Sequence, residues 1–358
     1  MNGILAEQTV SLNLKRKEIK TKKLVVAALA VLILASASMI LIANSGSVDF
    51  DIERNESEIR ITNTSKGPLE GFTWTVRDEM NFMRSSTAVS DSGIILDPDG
   101  ELFGPGVYRV TLTAQGFLGE KNQSKLIVIN GDRVNSVVWV HNAKPYYLEY
   151  SITTSSMIQY LKGGAKGGIE RWPGNSANSD LVGMYAGTTD GALTKLITDL
   201  RDIADKAKLT NETELTNFIM AFVQYGITYE EDSETAGSPE YWRYPMETLY
   251  SGVGDCEDVA MLTMALLKGV FKLNGMDKNV ALALFWGNSD VGGHAMAAIE
   301  LGSAPTAMPV STEIMVENTN LYNVDGKTYY VCETTNTGWK AGWISVKYNM
   351  APDHLIVI

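Results

Sequence analysis

The chain has 358 residues, 45% of them hydrophobic and 20% charged. That is long enough for about two domains with cores of their own, and too apolar for a disordered protein. A formal net charge of −12 argues against nucleic acid and anionic lipid headgroups as general partners.

The charge is unevenly placed. Residues 1–23 carry Lys15, Arg16, Lys17, Lys20, Lys22 and Lys23 against Glu7 and Glu18, a net of +4, which leaves −16 on the rest. Leu24 to Ala43 then carry no charged side chain, and at about 1.5 Å per residue such a stretch matches a bilayer core of roughly 30 Å. The basic flank keeps the N-terminus cytoplasmic by the positive-inside rule, so residues 24–44 read as a single-pass transmembrane helix and everything after it as extracellular. Ala35-Ser36-Ala37 imitates a signal-peptide cleavage site, but Met39-Ile40-Leu41-Ile42 continues the apolar run beyond it, which favours an uncleaved anchor. Four Asn-x-Ser/Thr sequons, at Asn55, Asn63, Asn122 and Asn211, all follow the apolar segment.

Residues 46–140 read as all-β. Val48–Ile52, Glu58–Ile61 and Phe72–Val76 alternate apolar with polar at period two. Lys66-Gly67-Pro68, Asp97-Pro98-Asp99-Gly100 and Gly104-Pro105-Gly106 supply turns between such runs. Phe72-Thr73-Trp74, the run Pro105–Ala114 and the strand near Ile127 resemble a PKD-type immunoglobulin-like β-sandwich. That resemblance implies a spacer or adhesive module and supplies no catalytic residue.

Residues 141–189 read as a linker, with irregular backbone at Gly163-Gly164, Gly167-Gly168 and Pro173-Gly174. Helices follow. Leu193, Leu196, Ile197, Leu200 and Ile203 form one apolar stripe, and Asn211 with Glu214 makes an N-cap pair opening a run through Phe218 and Phe222. A third helix starts at Cys256 and runs to about Leu273, where Asn274-Gly275 stops it. The remainder is strand-like at 280–286, 294–301, 329–334, 344–348 and 355–358, so residues 190–358 read as an α+β domain with helices first and an antiparallel sheet after.

Cys256 is one of two cysteines and His294 one of three histidines. A nucleophile, a base and an acid in the order Cys256, His294, Glu333 are the parts of a thiol acyl-transfer site. A thiol must lose its proton to attack a carbonyl, and a helix N-terminus helps it do so. Asp255 and Asp258 read as caps of that turn, although their charge opposes a thiolate. Cys332 alternates to the face opposite Glu333 and reads as core, with a Cys256–Cys332 disulfide the less favoured option. His141 and His354 are poorer bases by position.

Tyr241–Leu249, Gly254-Asp255-Cys256-Glu257-Asp258, Gly293-His294-Ala295 and Tyr329–Thr335 with Gly338-Trp339 resemble the transglutaminase-like superfamily, nearest its microbial and archaeal membrane-anchored branch. The resemblance covers about residues 190–350. It implies a papain-like α+β fold, Cys256 as nucleophile, His294 as general base and Glu333 as orienting acid, where the family more often has Asp. It also implies an oxyanion hole built from the Cys256 N–H and a second donor among Gln224, Trp242 and Tyr244. One branch, the periplasmic proteinases that release adhesins, shares the Asp-Cys-Glu-Asp block and uses calcium. On that likeness Asp255, Glu257 and Asp258 are calcium candidates, with helix capping the simpler account; no other metal or cofactor is expected.

The expected protein is therefore a membrane-anchored thiol peptidase or amidase acting on cell-surface or extracellular protein. A crosslinking transglutaminase and an inactive adhesion or binding protein are the alternatives.

Overall fold

The computed structural model describes residues 46–55, 58–79, 85–98, 103–117, 119–162, 182–183, 186–187, 191–235, 241–287, 292–305, 314–315, 321–348 and 351–358. The expected basic segment, the membrane helix at 24–44 and the glycine-rich loop at 163–176 lie outside them. Among the described residues no helix is long and apolar enough to cross a membrane. The described residues form two compact units: 46–75 with 87–96 and 110–125 in one, and those of 76–86, 97–109 and 126–358 in the other.

From residue 50 to 129 the described residues are antiparallel β. The strands are β1 (Phe50–Arg54), β2 (Ile59–Asn63), β3 (Leu69–Asp78), β4 (Ser85–Val89), β5 (Gly93–Leu96), β6 (Gly106–Gly116) and β7 (Gly119–Ile129). They make sheets in the orders β1-β2-β5 and β4-β3-β6-β7. Within the first unit, Ile59 and Ile61 of β2 point inward while Arg60 faces solvent, as period-two patterning requires. The Phe50 and Trp74 rings meet edge to face at 5.4 Å, and Trp74 Nε1 donates to the Ser90 carbonyl at 2.9 Å.

The second unit contains the thiol. Beyond β7 it continues with a long hairpin, β8 (Asp132–His141) and β9 (Lys144–Thr153), turned at Asn142 and Ala143, which both have positive φ. The expected linker thus opens with a ten-residue strand and a helix, α1 (Thr154–Lys162). Helices α2 (Gly191–Lys206) and α3 (Glu212–Gly226) follow as expected, and Asn211 Oδ1 caps α3 by accepting from Thr213 N and Glu214 N. Glu214 does not complete a capping box. Its carboxylate binds His141 Nε2 at 3.1 Å and Asn142 Nδ2 at 2.5 Å, tying the hairpin turn to α3.

The chain continues through β10 (Thr228–Tyr229), α4 (Asp232–Thr235), α5 (Pro245–Ser251) and β11 (Val253–Gly254) into α6 (Cys256–Leu273). From Val259 to Leu267 every residue of α6 is buried, as expected for a helix apolar on all sides. It packs on a five-stranded antiparallel sheet ordered β15-β16-β13-β12-β18, built from β12 (Val280–Phe285), β13 (His294–Glu300), β15 (Leu321–Val324), β16 (Lys327–Cys332) and β18 (His354–Val357). A minor pair joins β14 (Ile314–Met315) to β17 (Ile344–Ser345). The expected strand at 344–348 shortens to β17 and turns into a 3-10 helix, Val346–Tyr348.

Candidate active site

Three segments set the position of Cys256. β10 and β11 pair in parallel, bringing Tyr229 beside Gly254. A Cβ on Gly254 would lie 2.7 Å from the Asp258 Cβ, so the glycine is needed for the chain to turn into α6 this tightly. Below the turn, Arg243 is buried. Its guanidinium bonds Asp232 Oδ1 and Thr235 Oγ1, each at 2.7 Å, and also Asp258 Oδ2, while its backbone N–H donates to Asp258 Oδ1 at 2.6 Å. Asp258 also accepts the backbone N–H of Asp255, so it returns to the helix start as expected. The Asp255 side chain, by contrast, makes no capping hydrogen bond.

Cys256 is the first residue of α6 and half-buried. Its thiol donates to Glu257 Oε2 at 3.2 Å, and the backbone N–H of Ala295 points at the sulfur. Burial, followed by the charges of Glu257 and Asp255, pushes the thiol well above its ordinary value. The resting side chain is therefore a protonated thiol.

His294 opens β13, and Glu333 is the first residue past β16, next to Cys332, which pairs with Ala297. Both thus sit at the same end of the sheet. His294 Nε2 lies 2.7 Å from Glu333 Oε2. The other carboxylate oxygen accepts the Thr335 backbone N–H at 2.8 Å and its hydroxyl at 2.6 Å. Burial alone would raise the Glu333 pKa, but the bonds from His294 and Thr335 outweigh it and hold the carboxyl below its ordinary value. An ionised carboxylate only accepts, so Nε2 carries a proton. Tyr348 stacks on the imidazole at 4.7 Å and 25° and fixes its plane.

A cleft of about 330 Å³ joins these parts, with Cys256, His294, Ala295, Trp242, Tyr229 and Trp286 in its wall. Of the residues expected to supply the second oxyanion donor, Trp242 lines the cleft and Gln224 and Tyr244 do not. The amide of Gln224 is engaged elsewhere, with the carbonyls of Glu333 (2.9 Å) and Trp339 (3.0 Å) and the N–H of Gly338 (3.0 Å). Tyr244 caps α5 and its ring packs on Tyr160. Both cysteines are free thiols, and Cys332 is buried in the sheet, which excludes the disulfide.

The carboxylates also regroup. Asp232, Asp255 and Glu257 bring oxygens within 4.8 Å of one another, and Arg243 binds both Asp232 and Asp258. Three carboxylates are the donor type a hard cation such as calcium takes, so the set fits that ion with Asp232 in the place expected for Asp258. Asp232, Arg243 and Tyr348 were given no site role by the sequence. A run of acids at Glu230-Glu231-Asp232 and a lone arginine between aromatics were the only signals for the first two.

Residues 198–305 match a family described as a transglutaminase-like domain. The matched stretch holds Cys256 and His294 and ends before Glu333. No curated protein matches the chain. Among solved structures, a Parabacteroides distasonis protein provisionally described as a protease is similar at 13% identity with a TM-score of 0.27, over 87% of this chain. The chain spans 65% of that protein's length.

Proposed function

We propose that this protein is a thiol enzyme that cleaves amide or peptide bonds through a thioester, with Cys256 as nucleophile, His294 as base and Glu333 as orienting acid. The observation that carries the reading is one cleft wall shared by the sulfur at a helix N-terminus and an imidazole whose Nε2 is held by a buried carboxylate. The transglutaminase-like match across Cys256 and His294 supports it.

With Nε2–H committed to Glu333, Nδ1 takes the proton of the Cys256 thiol, and Glu333 stabilises the imidazolium that forms. The sulfur attacks the scissile carbonyl, whose oxygen takes the negative charge, and the Cys256 backbone N–H is the donor to it. The imidazolium then gives its proton to the departing amine, leaving a thioester on Cys256. Water, deprotonated by the same imidazole, attacks the thioester, and the sulfur leaves and recovers the proton. Calcium bound by Asp232, Asp255 and Glu257 would offset the negative charge that holds the thiol protonated.

Placement is part of the proposal. An apolar stretch at 24–44 behind a basic flank anchors the chain, the rest lies outside the cell, and the β strands before the thiol unit act as a PKD-like spacer. The substrate is then a cell-surface or extracellular protein, and water is the default acyl acceptor. Crosslinking is the second reading, since a held amine attacks a thioester by the same path.

Iodoacetamide labelling at neutral pH tests the assignment. Cys256 should react in a His294-dependent way, with His294→Ala slowing it about tenfold or more; equal rates in the two proteins would remove the enzyme reading and leave a binding protein. Incorporation of a fluorescent amine into a glutamine-rich protein, absent from Cys256→Ala, would favour crosslinking over hydrolysis.

A further inference from the structure

Two buried amides on α3 have no part in the chemistry just described. Asn217 and Gln224 are seven residues apart, so they lie on one face of the helix two turns from each other. Both are buried. An apolar pair would be the ordinary choice there, as with Phe218 and Phe222 on the same helix.

The amides spend their hydrogen bonds on one stretch of main chain. Gln224 Nε2 donates to the carbonyls of Glu333 and Trp339, and its Oε1 accepts from Gly338 N–H. Asn217 Oδ1 accepts from Ala341 N–H at 2.8 Å. Four backbone groups between 333 and 341 are therefore satisfied from α3 rather than from the sheet. The stretch is closed at its base by Gly342 N–H donating to the Val331 carbonyl at 2.8 Å. It would otherwise be an irregular loop hanging off the end of β16, and such loops are the parts of a fold that open first.

The loop's first residue is Glu333. Its own carbonyl is one of the groups Gln224 holds, and Thr335, which anchors the far carboxylate oxygen, lies inside the same clamp. We propose that Asn217 and Gln224 are positioning residues: by holding the 333–341 main chain to α3 they fix the Glu333 carboxylate against His294 Nε2. This rests on the reading of Glu333 as the orienting acid. It also gives a chemical reason for two buried amides on a helix that packing alone would fill with leucine.

The test follows the His294 Nε2–H proton by NMR in the full chain, because a proton shared with a carboxylate resonates far downfield and needs no turnover to be seen. Gln224→Leu should broaden or shift that signal and slow iodoacetamide labelling of Cys256 on the order of tenfold. Leu200→Ala, in the core of α2, serves as a variant of comparable melting loss and should leave the signal in place. Should Gln224→Leu fail to fold, Asn217→Ala removes one bond from the other end of the clamp and is held to the same criterion. A wild-type signal and wild-type labelling in a folded clamp variant overturn the proposal, since a merely structural amide would lower the melting temperature and nothing else. Should wild-type Cys256 prove inert while the signal still depends on Gln224, the enzyme reading falls and the positioning role stands.

Discussion

Glu257, a calcium candidate by sequence, lies beside the sulfur in the cleft. It accepts from the thiol of the proposed nucleophile, and its charge adds to burial in raising that thiol's pKa. The thiolate fraction then grows as pH rises through a midpoint above the ordinary thiol range. Glu257→Gln removes a negative charge beside the sulfur, which should move the midpoint down and speed neutral labelling about three- to tenfold; an unchanged pH–rate curve would show that burial alone sets the thiol. Glu333 has the opposite sign. Its folded pKa is depressed, so its contribution is full above the ordinary 4.5 and is lost as pH falls through the lower folded value. Melting curves from pH 7 to 3 should therefore show wild type more stable than Glu333→Gln by about 1–3 kcal/mol at neutrality, with the gap closing in acid. A gap constant with pH would mean the carboxylate is not ionised against His294.

At the scale of elements, the site depends on how α6 is started. Arg243 joins the loop before α5, the short α4 and the first turn of α6 through Asp232, Thr235 and Asp258. Arg243→Met would leave two buried acids without their cation, at a cost of about 3–5 kcal/mol. Chemical denaturation measures that, and adding Asp258→Asn should recover part of the loss because one of the stranded charges is gone. The helices and most strands of this unit were legible in the sequence, since α2 carries an apolar stripe, α3 an N-cap, α6 a continuous apolar run and β12 a short one. Cys256, His294 and Glu333 were legible as residue types in a pattern. Contacts that cross between elements were not. Nothing local tells that Asp258 faces an arginine fifteen residues back, or that Gln224 meets the loop after β16 and not the oxyanion. β15 was overlooked although Asp325 and Gly326, both at positive φ, are a standard hairpin pair. The turn at Asn142-Ala143 lacks the glycine that usually marks such a hairpin, so β9 read as linker.

For the whole molecule, the question is where the thiol unit begins. Sequence patterning placed its start near residue 190, at the first helix stripe. The structure puts part of its core earlier. Trp139 of β8 meets Phe218 at 5.4 Å and Phe222 at 5.3 Å, and Tyr146 of β9 meets Phe218 at 5.1 Å, so one face of α3 is covered by the hairpin. Still earlier residues belong to the same unit: Arg133 pairs with Asp78 at 3.6 Å, and Tyr250 donates to the Pro105 carbonyl at 3.1 Å. A fragment of residues 190–358 would expose Phe218 and Phe222 of α3. Removing large aromatics from a core costs about 3–5 kcal/mol each, and a domain of this size has roughly 5–15 kcal/mol in total. That fragment should therefore bind a hydrophobic dye and melt without a cooperative transition, while a chain starting at residue 46 melts cooperatively and retains His294-dependent labelling of Cys256. A cooperative melt for 190–358 at the temperature of the longer chain would show that the hairpin is an accessory to the thiol unit and not part of its core.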